Sequence, residues 1–84
     1  MKRILLVDDC REFGGLVRDL LLRDYDVSTA NDIGGAKKLM QGPCFDLYLL
    51  DLNLPDGSGL ELCSFLRSTP ETSQAPILII TGQD

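Results

Sequence analysis

The chain has 84 residues, a formal net charge of −5 and no histidine, so it holds one domain or less. The acidic balance disfavours binding to nucleic acid, which needs clustered basic residues, and binding to an anionic membrane surface. No apolar run approaches the roughly 18 residues of a membrane span, and the apolar stretch near the N-terminus is too short for a signal peptide.

The cysteines indicate a reducing compartment. Their number is odd, and no two of them have the Cys-x-x-Cys spacing of a zinc or redox motif: they are Cys10, Cys44 and Cys63. We therefore expect a cytoplasmic protein, in which the cysteines are small core or capping residues.

The first half of the chain alternates between strand and helix patterns. Ile4–Val7 is a continuous aliphatic run, which is typical of a strand covered on both faces. Residues 26–31 alternate between polar and apolar, which predicts a half-exposed strand at a sheet edge. Between them, apolar residues with helical spacing predict the first helix: Phe13, Leu16, Val17, Leu20 and Leu21.

The second half continues this alternation. Leu47–Leu50 and Ile77–Ile80 are two further aliphatic runs that predict buried strands, and residues 55–59 are rich in turn-forming types. A short helix before Gly42-Pro43 is predicted by Ile33, Ala36 and Met40. A third helix is predicted by Gly59, Leu62, Cys63 and Leu66.

Four strands that alternate with three helices predict an α/β fold with a parallel sheet and helices on both faces. The half-exposed second strand belongs at an edge, and a strand order of 2-1-3-4 places it there. The same order makes Ile77–Ile80 the other edge strand, although its composition is that of an interior strand.

Polar side chains follow three of these strands. Asp8 and Asp9 come directly after the first strand, Asp51 after the third and Thr81 after the fourth. The carboxyl ends of parallel strands meet at one edge of the sheet, where ligands bind. Three carboxylates there predict a Mg²⁺ site, with one carboxylate able to attack phosphorus and the hydroxyl able to contact a phosphoryl group.

Each of these residues also has a plainer interpretation. Asp9 could cap the first helix and Asp32 the second. Thr81 could be an ordinary threonine at the end of a strand. Their occurrence together, at three strand ends, favours the metal site.

The chain resembles the receiver domain of two-component response regulators over its whole length. The resemblance rests on three segments: residues 4–9 (Ile-Leu-Leu-Val-Asp-Asp), residues 46–62, which include Asp51-Leu-Asn-Leu-Pro-Asp-Gly-Ser-Gly, and residues 76–82 (Pro-Ile-Leu-Ile-Ile-Thr-Gly). It implies a flavodoxin-like, doubly wound parallel sheet. It covers about two thirds of the family's domain, so we expect residues 1–84 to be a partial receiver domain without the fourth helix, fifth strand and fifth helix.

The resemblance also implies roles for individual residues. Asp51 would accept a phosphoryl group from a sensor histidine kinase, as a signalling switch in a phosphorelay. Mg²⁺ would be held by Asp9 directly, by Asp8 mainly through water, and by Asp51 and the main-chain carbonyl of Asn53. Thr81 would be the switch residue that turns toward the phosphoryl group. Pro55 and Gly59 would shape the loop after Asp51.

Two features of the family are not found in these residues. The family's lysine and its aromatic switch partner lie on the fifth strand, beyond Thr81. Receiver domains catalyse their own phosphorylation and dephosphorylation without being classical enzymes, and we expect slow or absent phosphorylation of this segment.

Two other functions compete with this interpretation. Haloacid-dehalogenase-like phosphatases also use a strand-end aspartate with Mg²⁺, but they need a second acid two residues later, where this chain has Asn53. A pure interaction module is the second alternative. It would form a homodimer through the exposed fourth strand Ile77–Ile80, or through a helix-covered face that is left open.

Overall fold

The computed structural model describes residues 1–80, which form a four-stranded parallel sheet with helices on both faces. The elements in chain order are β1 (Lys2–Val7), α1 (Arg11–Leu21), β2 (Tyr25–Ala30), α2 (Ile33–Met40), β3 (Leu47–Asp51), β4 (Asn53–Leu54), β5 (Gly57–Ser58), α3 (Gly59–Ser68), a 3₁₀ turn (Pro70–Thr72) and β6 (Ile77–Ile80). None of the helices in this part of the chain is long and apolar enough to cross a bilayer.

The strand order is β2-β1-β3-β6, and every neighbouring pair is parallel. This confirms the predicted α/β fold and its order of 2-1-3-4, because β6 is the fourth strand of the main sheet. Two additional strands, β4 and β5, form a separate antiparallel hairpin directly after β3. Residues 55–59, predicted as a loop, therefore contain the turn of this hairpin and its second strand.

Alternation along β1 divides the apolar residues between two cores. Leu5 and Val7 face a core shared with α2 and α3, whereas Ile4 and Leu6 face a core shared with α1. All four side chains are at most 3% exposed. The interpretation of Ile4–Val7 as a strand covered on both sides was therefore correct. The prediction of a buried strand was wrong for Ile77–Ile80, because β6 is an edge strand of the described residues, none of its four residues is buried, and Leu78 is 57% exposed.

The buried face of α1 differs from the predicted one. Val17 and Leu21 pack against the sheet as expected, but Leu16 and Leu20 are 59% and 71% exposed. Gly14 takes the third inward position, where a methyl group on its Cα would lie 3.7 Å from Leu6. The helical spacing was correct, but two apolar stripes overlap on this helix, and the stripe that faces the sheet consists of Gly14, Val17 and Leu21.

The helix caps settle the alternatives for two acids. Asp32 caps α2, since its Oδ1 accepts a hydrogen bond of 2.7 Å from the Gly35 backbone N–H. Asp9 is not the cap of α1, because that position belongs to Cys10, whose Sγ accepts from the Phe13 N–H at 3.4 Å. All three cysteines are free thiols. Cys63 packs against the core, and Cys44 is exposed.

Candidate functional site

The acidic residues after β1 and β3 come together at one edge of the sheet. Since β1 and β3 are neighbouring parallel strands, Asp8 and Asp9 at the end of one lie beside Asp51 at the end of the other. One carboxylate oxygen from each of the three residues lies within 4.8 Å of the other two. The predicted grouping of these three acids therefore exists in the folded chain.

The three carboxylates differ in their surroundings. Asp8 is buried, with 7% of its surface exposed, whereas Asp9 is exposed and Asp51 is intermediate. Burial raises the pKa of Asp8, and the nearby charges of Asp51 and Asp9 raise it further. The Cys10 backbone N–H, which donates to Asp8 Oδ1 at 2.8 Å, acts in the opposite direction on that pKa. A buried carboxylate among like charges is costly unless a cation neutralises it.

The donor set fits a small divalent cation. It consists of carboxylate oxygens, which are the hard ligands that Mg²⁺ and Ca²⁺ prefer, and no cysteine sulfur belongs to the group. Three ligand oxygens within 4.8 Å of one another can bind one ion, with the remaining coordination positions open to water and to substrate oxygens. The raised pKa of Asp8 supports the same conclusion, since bound metal would remove that electrostatic cost.

The hairpin after Asp51 begins beside its side chain. The Asn53 backbone N–H donates to Asp51 Oδ1 at 3.3 Å. Pro55 lies exposed in the turn between β4 and β5. Gly59 closes the segment, because its N–H donates to the Leu52 carbonyl at 2.8 Å.

Gly59 is packed directly against the end of β3. A Cβ at this position would collide with the carbonyl oxygen of Asp51 and would lie 2.9 Å from its carbonyl carbon. Both contacts are backbone atoms, so they cannot be relieved by rotating a side chain. The absence of a side chain at residue 59 thus allows α3 to start next to the end of β3.

Thr81, the expected switch residue, lies outside the described residues. The chain has three lysines, at positions 2, 37 and 38. Lys2 is the first residue of β1, so it lies at the amino ends of the strands, opposite the acids. The Lys37 amine lies 5.2 Å from the centre of the Phe65 ring.

Asp56 has a local role that the sequence did not reveal. Its carboxylate accepts two hydrogen bonds from the first turn of α2: from the Ile33 N–H at 2.8 Å and from the Gly34 N–H at 3.1 Å. Pro-Asp-Gly marks a turn in the sequence, but partners more than 20 residues upstream could not be predicted from it.

Comparison with known proteins agrees with this geometry. Residues 4–84 match the family described as the response regulator receiver domain. The response regulator ArlR of Staphylococcus epidermidis is 38% identical over 85 residues, which cover 99% of this chain and 37% of ArlR. The chain therefore spans little more than a third of this curated relative.

Two solved structures show the same fold. The chemotaxis response regulator CheY4 of Vibrio cholerae matches with a TM-score of 0.93 and 31% identity, over 99% of this chain and 70% of that one. A response regulator of Burkholderia pseudomallei, solved with a phosphorylated aspartic acid, a calcium ion and citrate, matches with a TM-score of 0.84 and 35% identity. That match covers 100% of this chain and 49% of the other. This chain belongs to the response regulator receiver domain family.

Proposed function

We propose that the chain accepts a phosphoryl group on Asp51 with the help of a bound Mg²⁺. The observation that carries this proposal is the meeting of Asp8, Asp9 and Asp51 at the ends of two adjacent parallel strands. Asp51 is only partly buried, so a phosphoryl donor can reach it. The Burkholderia pseudomallei relative, which carries a phosphorylated aspartic acid and a calcium ion, supports both halves of the proposal.

The reaction is a displacement at phosphorus. A carboxylate oxygen of Asp51 attacks the phosphorus atom and forms a P–O bond, while the bond between phosphorus and its leaving group breaks. With a phosphohistidine donor, the bonding electron pair leaves on the imidazole nitrogen, which takes a proton from solvent. Bound Mg²⁺ would neutralise charge on the phosphoryl oxygens.

The chain's own residues would bind the cation and orient the nucleophile. Asp8, Asp9, Asp51 and the main-chain carbonyl of Asn53 would hold Mg²⁺, and the Asn53 N–H holds one oxygen of Asp51. Thr81 would contact the transferred group, and Pro55 and Gly59 would fix the loop. Positioning and cations carry most of the catalysis of phosphoryl transfer. Lys2 begins β1, and Lys37 and Lys38 lie in the last turn of α2, so none of them is at the strand ends that carry the acids, and we expect slow phosphorylation.

In this proposal the donor protein is a sensor histidine kinase, and the acyl phosphate on Asp51 is the signal. The site faces the carboxyl edge of the sheet, where a partner's phosphohistidine can approach without entering the core. The chain would then act in the cytoplasm as one step of a phosphorelay.

The proposal is tested by incubating the chain with Mg²⁺ and acetyl phosphate over several hours. The intact mass of the chain is measured directly after each incubation. We expect a single phosphoryl adduct, and none when EDTA is present during the incubation, because the three acids repel an anionic donor without a cation. The matched control is Asp51→Ala, which should carry no adduct. A folded wild-type chain that remains unlabelled over hours would contradict the proposal.

A second candidate function follows from the edge strand β6. Within residues 1–80, β6 pairs only with β3, so one of its edges has no strand partner there. An apolar strand with one unpaired edge can recruit another chain. We propose that two copies pair through β6 in antiparallel fashion and form one continuous sheet, as a two-fold axis requires. The open face beside α1, with Leu16 and Leu20 exposed, is the alternative contact.

Sedimentation of the 84-residue chain at high micromolar concentration tests this pairing. We expect a dimer for the wild type and a monomer for Leu78→Lys, because a charge on the edge strand opposes pairing with a second edge. Leu16→Lys serves as the comparison, since it changes the α1 face and leaves β6 intact. A wild-type monomer would exclude both contacts. Since Leu78 lies opposite Leu49, on the α1 side of the sheet, a dimer broken by Leu16→Lys, alone or together with Leu78→Lys, would exclude the β6 edge.

A further inference from the structure

Asp56 joins two elements that are distant in the sequence. It lies in the turn between β4 and β5, and its two carboxylate oxygens accept hydrogen bonds from the Ile33 and Gly34 N–H groups at the start of α2. These bonds lower the pKa of Asp56, the one from Ile33 most strongly. The side chain therefore stays ionised at neutral pH and forms charge-assisted bonds to unpaired helix donors.

The residue next to Asp56 also fits closely on α2. Gly57 has a φ of +155°, which L side chains rarely adopt. A Cβ at this position would lie 2.7 Å from Ile33 Cδ1 and 2.6 Å from Glu61 Oε2. The turn is thus held against α2 both by the Asp56 hydrogen bonds and by close packing on a buried isoleucine.

The same hairpin carries Asn53. In the register of the hairpin, Asn53 pairs with Ser58 and Leu54 with Gly57. Its open end is closed directly after β3, where the Gly59 N–H donates to the Leu52 carbonyl. The backbone of Asn53 therefore lies between one attachment at the acceptor strand and another at α2.

We propose that Asp56 is a positioning residue that holds the Asn53 main-chain carbonyl in place for the cation and couples the start of α2 to the phosphoacceptor site. This inference rests on the proposed function, which makes that carbonyl a cation ligand. Asp56 touches neither the cation nor the phosphoryl group; it acts through the hairpin. Because coupling between two sites is reciprocal, cation binding should in turn strengthen the attachment of the hairpin to α2.

Asp32 offers a matched control for Asp56. Both carboxylates accept hydrogen bonds from the first turn of α2, since Asp32 Oδ1 accepts from Gly35 at 2.7 Å. Only Asp56 belongs to the hairpin. Removing either side chain weakens the start of α2, but only the loss of Asp56 should release Asn53.

The experiment is a Mg²⁺ titration followed by amide NMR shifts, on the wild type, Asp56→Ala, Asp56→Asn and Asp32→Ala. We expect Asp56→Ala to bind Mg²⁺ about tenfold more weakly, as is usual when a residue supporting a metal ligand is removed. Asp56→Asn should fall between the two, because its amide oxygen can still accept from Ile33. Asp32→Ala should bind like the wild type.

Hydrogen exchange of the Ile33 amide provides a second readout. In the wild type, Mg²⁺ should slow this exchange, and in Asp32→Ala it should still do so. Equal Mg²⁺ affinity in the wild type and Asp56→Ala would overturn the inference, and so would equal weakening in Asp56→Ala and Asp32→Ala. A wild type that binds no Mg²⁺ would overturn the proposed cation site itself, together with this inference.

Discussion

Gly59→Ala is expected to destabilise the chain by about 3 kcal/mol or more, the upper range for overpacking a rigid site. The added methyl group would collide with the Asp51 carbonyl oxygen and would lie 2.9 Å from the carbonyl carbon. Either α3 or the end of β3 must move, and both belong to the main core through Leu62 and Leu50. A small domain has only about 5–15 kcal/mol of stability in total, so this loss is severe.

Gly15→Ala is the matched control, since it adds the same methyl group to another helix. A Cβ at residue 15 meets no described atom within 4 Å, and alanine is the better helix former. We expect a gain of about 0.5–1 kcal/mol. Urea unfolding measures both variants. A Gly59→Ala chain as stable as the wild type would show that α3 does not need its close approach to Asp51.

Asp8→Asn is expected to have opposite effects with and without metal. In the metal-free chain at pH 7 it should raise the stability on the order of 1 kcal/mol, because it removes a buried charge. The Cys10 N–H keeps an oxygen acceptor, and the new amide can donate to Asp51. With Mg²⁺ present the advantage should disappear, because the wild type gains binding energy that the variant has lost.

The pH dependence has the same origin. Burial raises the pKa of Asp8 above its ordinary value of 3.8. The folded chain therefore binds more protons than the unfolded chain between that ordinary value and the raised one, and the stability falls as pH rises through this window. Asp8→Asn should lack this part of the fall.

Urea unfolding measures the metal effect and the pH effect. It is carried out at intervals of about one pH unit between about pH 3 and pH 8, with either EDTA or Mg²⁺ present. Asp24→Asn, which changes an exposed acid just before the start of β2, away from the carboxyl ends of the strands, controls for the change in net charge. A metal-free Asp8→Asn chain that is less stable than the wild type at neutral pH would contradict the account of a strained acidic site.

The sequence predicted the main sheet well, because buried parallel strands are continuous aliphatic runs and the second strand alternated. The sequence also predicted that Asp8, Asp9 and Asp51 lie close together, because the carboxyl ends of parallel strands lie at the same side of the sheet. These are consequences of backbone geometry that do not depend on side-chain detail.

The inward face of α1 could not be predicted in the same way. Its apolar residues lie on two overlapping stripes, and the stripe that packs against the sheet includes Gly14, which lies beside Leu6. Glycine carries almost no hydrophobic signal, so the pattern alone favoured Leu16 and Leu20, which are exposed.

Asp56 and its hairpin were missed for a different reason. Turn-forming residues indicate where a chain reverses, but they do not identify what the turn packs against. The hydrogen bonds of Asp56 to α2 span 22 and 23 residues and exist only after α2 and α3 have packed on the same face of the sheet.

Locating the phosphoryl group on the chain would show whether Asp51 is the residue that accepts it. After incubation with Mg²⁺ and acetyl phosphate, the chain would be reduced with borohydride, which converts an aspartyl phosphate to homoserine, and then digested for peptide mass analysis. We expect homoserine at residue 51 only, and only in samples that contained the cation. Modification at Asp8, Asp9 or Asp56 instead, or equal modification of Asp51 in EDTA, would contradict a metal-assisted phosphoacceptor site at the end of β3.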